Sequence, residues 1–181
     1  MNFQTDNTKS RIIVLTTGGT IDKSYDEFDG SLQNRGSEMK GLFLSQLRLP
    51  YTELEVVSLM AKDSLRMNDY DRSLLAQSVK AQMQKGHPIV VVHGTDTMAK
   101  SANYVLEHIG KADVPIVFTG AMKPIGFIDS DASQNVTEAL LVSKILPAGV
   151  YISFHNRVFK VPFVRKNLLT RTFEFTQEKS K

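Results

Sequence analysis

Two runs of β-branched residues, each stopped by a glycine–threonine turn, constrain this chain more than any other feature. Arg11-Ile12-Ile13-Val14-Leu15 leads into Thr16-Thr17-Gly18-Gly19-Thr20-Ile21, and Pro88-Ile89-Val90-Val91-Val92 leads into His93-Gly94-Thr95-Asp96-Thr97. Continuous apolar runs of strand length are the pattern of strands covered on both faces, as in a parallel sheet. Such sheets bind ligands beyond the carboxyl ends of their strands, which places Thr20, Thr95 and Asp96 in the region of a site. Gly18, Gly19 and Gly94 carry no Cβ, so the backbone can turn sharply there and a ligand can approach main-chain N–H groups.

The remaining order fits the same architecture. Strand-like runs recur at Glu53–Leu59, Ile116–Phe118 and Val150–Phe154, with helical patterns between most of them. The segment from Asn68 to Lys85 opens on Asn-Asp cap candidates, spaces Leu75, Val79 and Met83 four apart, and stops at Gly86 with Pro88 beyond. Met98, Ala102, Val105, Leu106 and Ile109 line one face of a second helix that Gly110 ends. A third helix is expected from about Gln134 to Ile145. This alternation predicts an α/β fold: a doubly wound, mostly parallel sheet with helices on both faces. The polar connection from Asp22 to Arg35 reads as a mobile loop, and Leu42 to Leu47 as a short helix after it. With no internal repeat, low-complexity tract or Pro/Gly-rich linker, one domain over residues 1–181 is expected, its core over about 11–175. Met1 and the polar tail from Thr176 to Lys181 read as natural ends.

Charge and composition narrow the function classes. Lys plus Arg exceed Asp plus Glu by 22 to 19, and no dense basic run carries interleaved aromatics, so no nucleic-acid partner is expected. Arg157, Lys160, Arg165, Lys166 and Arg171 stand close together, which suits an anionic substrate or a loop equally well. The apolar runs are too short to span a bilayer, and Met1 to Asn7 lacks the basic start and apolar stretch of a secretory signal. No membrane association and a cytoplasmic location are therefore expected. Neither Gly-x-Gly-x-x-Gly nor a phosphate-loop lysine is present, and His87, His108 and His155 are isolated, so no cofactor and no metal are expected.

Several residues carry two readings on their own. Thr16 and Thr17 suit a strand; Thr20 suits a cap or turn hydroxyl as well as a nucleophile; Asp96 suits the N-cap of the Met98 helix as well as a ligand group. His93 reads as a core or supporting histidine before it reads as a proton shuttle. Met83 and Met98 read as core packing, Lys144 as a surface lysine, and Lys123 as a surface lysine near the site.

Taken together, Thr-Gly-Gly-Thr-Ile and His-Gly-Thr-Asp-Thr resemble the two signature segments of the N-terminal domain of the bacterial-type L-asparaginase/glutaminase family. The resemblance continues through Gly120-Ala121-Met122-Lys123-Pro124, then Asp131 and Asn135, to Lys166. It implies an amidohydrolase that converts the side-chain amide of L-asparagine, or a related small amide, to the acid and ammonia. Thr20 is then the nucleophile, with Thr95 as the alternative nucleophile or a water activator, and Thr95, Lys166 and Asp96 form a group in which the lysine activates a threonine and Asp96 meets the substrate ammonium. Gly19 and Gly94 bring main-chain donors to the substrate, and Ser64 falls on the serine that binds its α-carboxylate. Tyr25 falls on the lid tyrosine, with Phe28 as the alternative. Lys166 is placed by counting from Val158, with Phe175 in register beyond it. A neighbouring subunit covers the pocket in that family, which implies a homo-oligomer, a dimer or higher.

Two departures accompany the resemblance. Leu65 and Arg66 follow Ser64 where the family commonly has a polar and then an acidic side chain, and the family's second, smaller domain has no counterpart within these residues. They leave a competing reading, a catalytically weak or inactive binding or regulatory module. A tRNA-dependent amidotransferase is a further class with asparaginase-like domains, but no basic, aromatic-bearing extension supports it here.

Overall fold

A computed structural model describes residues 8–25, 32–34, 44 and 47–176. The main sheet has six strands: β1 (Ser10–Thr16), β4 (Thr52–Ser58), β5 (Ile89–Val92), β6 (Pro115–Thr119), β7 (Gly149–Phe154) and β8 (Arg157–Lys160). Their spatial order is β4-β1-β5-β6-β7-β8, parallel from β4 to β7, with β8 antiparallel at the edge. Two further pairs stand outside it, β2 (Lys23–Tyr25) with β3 (Leu32–Asn34) and β9 (Val164–Asn167) with β10 (Thr172–Phe175). The helices are α1 (Asp69–Met83), α2 (Met98–Ile109) and α3 (Ala132–Ser143).

Alternate residues of the central strands point to opposite faces, and both faces are covered. Ile13, Leu15, Ile89, Val91, Ile116 and Phe118 pack with Leu75 and Val79 of α1 and with Ala102 and Val105 of α2. On the other face Ile12, Val14, Val90, Val92 and Val117 pack with Val136, Ala139 and Leu140 of α3. That two-sided burial explains why these strands read as unbroken apolar runs rather than alternating ones.

The helix ends follow local chemistry. The Asn68 side chain accepts the Asp71 N–H while the Asp71 carboxylate accepts the Asn68 N–H, a capping box that satisfies two otherwise orphaned donors at the start of α1. Gly86, at φ 71°, follows its end. The third helix begins earlier than expected, at Ala132, whose N–H donates to the Ser130 hydroxyl at 3.2 Å.

The connection after β1 differs from a plain loop. A short 3-10 turn over Thr20–Asp22 leads into β2, which pairs antiparallel with β3 through Lys23 opposite Asn34 and Tyr25 opposite Leu32. The short helix expected from Leu42 to Leu47 lies mostly outside the described residues; Leu44 is buried in the α3-side core.

Candidate active site

The chain visits β4 on one side of β1 and then crosses to β5 on the other, so the strand order reverses between β1 and β5. In open parallel sheets that reversal is where a crevice opens at the carboxyl ends. Thr16 pairs with Val92, so the two glycine turns leave the sheet at the same level. Thr16 ends β1 and Thr17 follows it outside the strand, both buried; the Thr17 N–H and hydroxyl both donate to the Val92 carbonyl, at 3.0 and 3.1 Å.

Glycine is required here for space as well as for φ. Gly18 and Gly19 sit at φ 99° and 104°, a region that side chains rarely adopt. A Cβ on Gly18 would lie 2.3 Å from the Lys62 nitrogen, one on Gly19 2.5 Å from the Gly94 Cα, and one on Gly94 2.6 Å from the Ser64 Oγ. Three backbone segments therefore touch, and Thr20, Ser64 and Thr95 come together around that contact. Ser64 and Thr95 are buried, and Thr20 is half-buried at the head of its 3-10 turn.

Side-chain hydrogen bonds fix the Ser64 segment. Asp63 accepts the Leu65 N–H at 3.0 Å, and the Thr97 hydroxyl donates to the Ser64 carbonyl at 2.9 Å. Behind them the Lys62 ammonium meets the Asp71 carboxylate at 2.6 Å. Burial works against the charged form of Asp71, but the hydrogen bonds from Lys62 and the Asn68 N–H outweigh it and hold its carboxyl below the ordinary carboxylate range.

Lys166 reaches this floor from β9. Its Nζ lies 2.8 Å from the Thr95 Oγ1 and 2.7 Å from the Asp96 Oδ1. The lysine side chain is only 16% exposed, whereas the carboxylate of Asp96 is 36% exposed and opens toward solvent. Arg165, one residue back on the strand, donates to Glu174 at 2.7 Å. Phe173 stands opposite Lys166 in the β9–β10 pairing and is buried, while Phe175, opposite Val164, is half exposed.

The capping alternative for Asp96 fails. Thr97 is the residue at the N-cap of α2, with no side-chain cap, and the Asp96 carboxylate is directed to Lys166 instead. Tyr25 has its backbone in β2, but its side chain, like all of Phe28, lies outside the described residues. Lys123 is an exposed lysine paired with Asp129.

His93 is fully buried between the turns and the core. Its Nδ1 lies 2.7 Å from the Gly94 carbonyl oxygen, an acceptor only, so Nδ1 carries the proton and braces the turn. Burial lowers its pKa to about 4, with the nearby Arg72 charge acting in the same direction, so the ring is neutral near pH 7. It is a support of the Gly94 turn rather than a proton carrier.

One polar cluster escaped the motif reading. Asp131 accepts the N–H groups of Met122 and Lys123, the Asn135 amide at 2.8 Å and the His155 Nε2 at 3.0 Å. Burial opposes ionisation of Asp131, but these donors outweigh it and hold its carboxyl below the ordinary range. The other ring nitrogen of His155 lies 3.0 Å from the Thr172 hydroxyl. Asp131 and Asn135 stood in the resembling segments, but His155 and Thr172 carry no spacing signal that joins them.

Among the described residues no group of three or more His, Cys, Asp and Glu could hold a metal ion, and no helix is long and apolar enough to cross a membrane.

Parallel order, glycine turns at the switch point and a hydroxyl–ammonium–carboxylate set beside them define a class: a doubly wound α/β domain with its site at the strand ends. Residues 11–181 match the family described as Asparaginase, N-terminal, and the chain belongs to that family. It is 32% identical over 161 residues to L-asparaginase 1 of Escherichia coli K12, covering 84% of this chain and 46% of that protein. It is 36% identical over 118 residues to the 60 kDa lysophospholipase of Homo sapiens, covering 62% of this chain and 20% of that protein. Among solved structures, the thermostable L-asparaginase from Thermococcus kodakarensis superposes with a TM-score of 0.79 at 25% identity, over 91% of this chain and 51% of that one. The chain spans about half the length of the curated L-asparaginase it matches.

Proposed function

We propose that this domain hydrolyses the side-chain amide of L-asparagine, or of a related small ω-amide, through a threonine nucleophile. The observation that carries the reading is the Lys166 Nζ at 2.8 Å from Thr95 and 2.7 Å from Asp96, beside a glycine contact that holds the Thr20 turn against the same floor. In this reading the Thr20 Oγ attacks the amide carbonyl, and main-chain N–H groups of the glycine turns receive the developing oxyanion. The C–N bond breaks, ammonia leaves with the hydroxyl proton, and an ester remains on Thr20. Water then attacks the ester, releasing the acid and restoring the hydroxyl. Lys166 relays that proton through Thr95. Ser64 receives the substrate α-carboxylate and Asp96 its ammonium.

The open side of Asp96 calls for a cover, which in this proposal a second copy of the chain provides. Desolvation there strengthens every charge contact in the site. A second reading, a binding module with little hydrolysis, is favoured by one observation: Leu65 is 71% exposed and Arg66 is exposed directly after Ser64. Ammonia release from L-asparagine, D-asparagine, L-glutamine and other small ω-amides separates the two. Release from L-asparagine that Thr20→Ala removes supports the hydrolase; binding without release supports the module.

A further inference from the structure

Lys166 rides on a hairpin that the main sheet does not hold. β9 and β10 pair only with each other, so the position of the lysine depends on how that pair docks. One attachment is apolar: Phe173, opposite Lys166, is buried and meets the Phe154 ring edge-on at 5.0 Å between centroids. Val164 is buried in the same core and Phe175 meets Phe159 at 4.8 Å, but apolar contacts of this kind set depth and are weakly directional. The adjacent residue supplies direction, because the Thr172 hydroxyl lies 3.0 Å from the His155 Nδ1.

His155 is itself held unusually firmly. With Asn156 it forms the two-residue turn between β7 and β8, at φ 48° and 60°. Asn and Gly take such positions at lowest cost, and a histidine there is strained unless its surroundings over-determine it. They do so here. Its N–H donates to the Asn135 side chain at 3.0 Å, its ring packs on Phe154 at 4.4 Å, and its Nε2 meets Asp131 at 3.0 Å. A carboxylate only accepts, so Nε2 donates to Asp131 and Nδ1 is left to face the Thr172 hydroxyl.

We infer that His155 is a positioning residue: anchored by Asp131 and Asn135, it grips Thr172 and thereby holds Lys166 against Thr95 and Asp96. The chemical consequence rests on the hydrolase reading above, but the placement of the lysine does not. The ring stands between the N-cap of α3, fixed to the main sheet, and the strand that faces Lys166, and no step of the proposed hydrolysis uses it directly.

The test compares Thr172→Val, Thr172→Ser and His155→Asn, the last chosen because asparagine tolerates the positive φ. Two readouts are needed. In protein labelled with ¹³C-lysine, with the Lys166 signal assigned through Lys166→Met, the wild-type Lys166 Cε resonance is expected apart from those of the exposed lysines. It should join them in Thr172→Val and His155→Asn and stay apart in Thr172→Ser. For ammonia release, kcat should fall about tenfold to a hundredfold in Thr172→Val with KM little changed, since misplacement of a catalytic group acts on the chemical step. An unmoved Lys166 resonance in folded Thr172→Val, or a serine variant as impaired as the valine one, overturns the inference. Hydrolysis that survives Thr20→Ala and Thr95→Ala yet disappears in Thr172→Val also overturns it, because Thr172 would then be a nucleophile. A wild type that releases no ammonia defeats the hydrolase reading, while the resonance still decides the positioning.

Discussion

Gly94 and Ser64 are in contact so close that the glycine admits no side chain: a Cβ would lie 2.6 Å from the serine Oγ and 2.7 Å from its Cβ. The second glycine turn and the Ser64 turn thus behave as one packed piece. Gly94→Ala should push Ser64 aside. If Ser64 holds the substrate carboxylate, KM rises at least tenfold while the protein stays folded, with a stability loss of about 1–3 kcal/mol from the overpacking. Initial rates over a substrate series and a thermal melt give both numbers, and an unchanged KM would remove Ser64 from the binding site.

Thr20→Ala and Thr95→Ala should each lower kcat by roughly 10²–10⁴-fold and leave the circular dichroism spectrum unchanged. Neither hydroxyl belongs to the apolar core. Full activity in both variants would sink the catalytic assignment.

Lys166→Met and Arg165→Met form a matched pair. The first removes the only cation in contact with both Thr95 and Asp96 among the described residues and should abolish hydrolysis; the second breaks an exposed pair with Glu174 and should be mild. The reverse result would place the base one residue earlier on the strand.

His93 links stability to pH. Its folded pKa of about 4 lies below the ordinary 6.5, so the unfolded chain binds a proton that the folded chain refuses between those values. Above pH 6.5 it contributes no pH dependence. As pH falls from 6.5 to 4 the folded state loses about 3 kcal/mol from this group, and below 4 the loss levels off. Urea unfolding at pH 7, 5.5 and 4.5 should show a shallower decline in His93→Gln than in the wild type. Parallel declines would disprove the assignment.

In the proposed reading a second copy of the chain covers the site. Light scattering at micromolar concentration should report at least a dimer, the commonest symmetric assembly. A fully active monomer would refute the shared-cover argument, and an inactive monomer would favour the binding module.

The strands that carry the site were legible because their apolar character is continuous and each ends in glycine. Ile89–Val92 and the helix Met98–Ile109 fall where the residues place them, and Ser10–Thr16 extends the expected strand by a residue at each end. β8, β9 and β10 were not legible. Arg157–Lys160, Val164–Asn167 and Thr172–Phe175 are four residues each and mix charged with apolar side chains, too short a stretch for alternation to register. Strand order was equally hidden, since nothing in Arg11–Leu15 states that both β4 and β5 flank it. The adjacency of Thr20 and Thr95 could be argued from their turns, and Lys166 from counting along a resembling segment. The His155–Thr172 link joins residues 17 apart through a turn that ordinarily takes Asn-Gly, so no local pattern announced it.

The bond between Lys166 and Thr95 spans 71 residues and joins a late hairpin to a floor built from the first half of the chain. Long-range closures of this kind form slowly compared with local helices and neighbouring strand pairs. The floor itself closes over 75 residues, where Thr17 meets Val92, so both parts of the site depend on long-range closure. Under the proposed function, recovery of hydrolysis during refolding would trail recovery of the helical signal. The proposed hydrolysis would then report on the assembly of the site rather than on the formation of the helices.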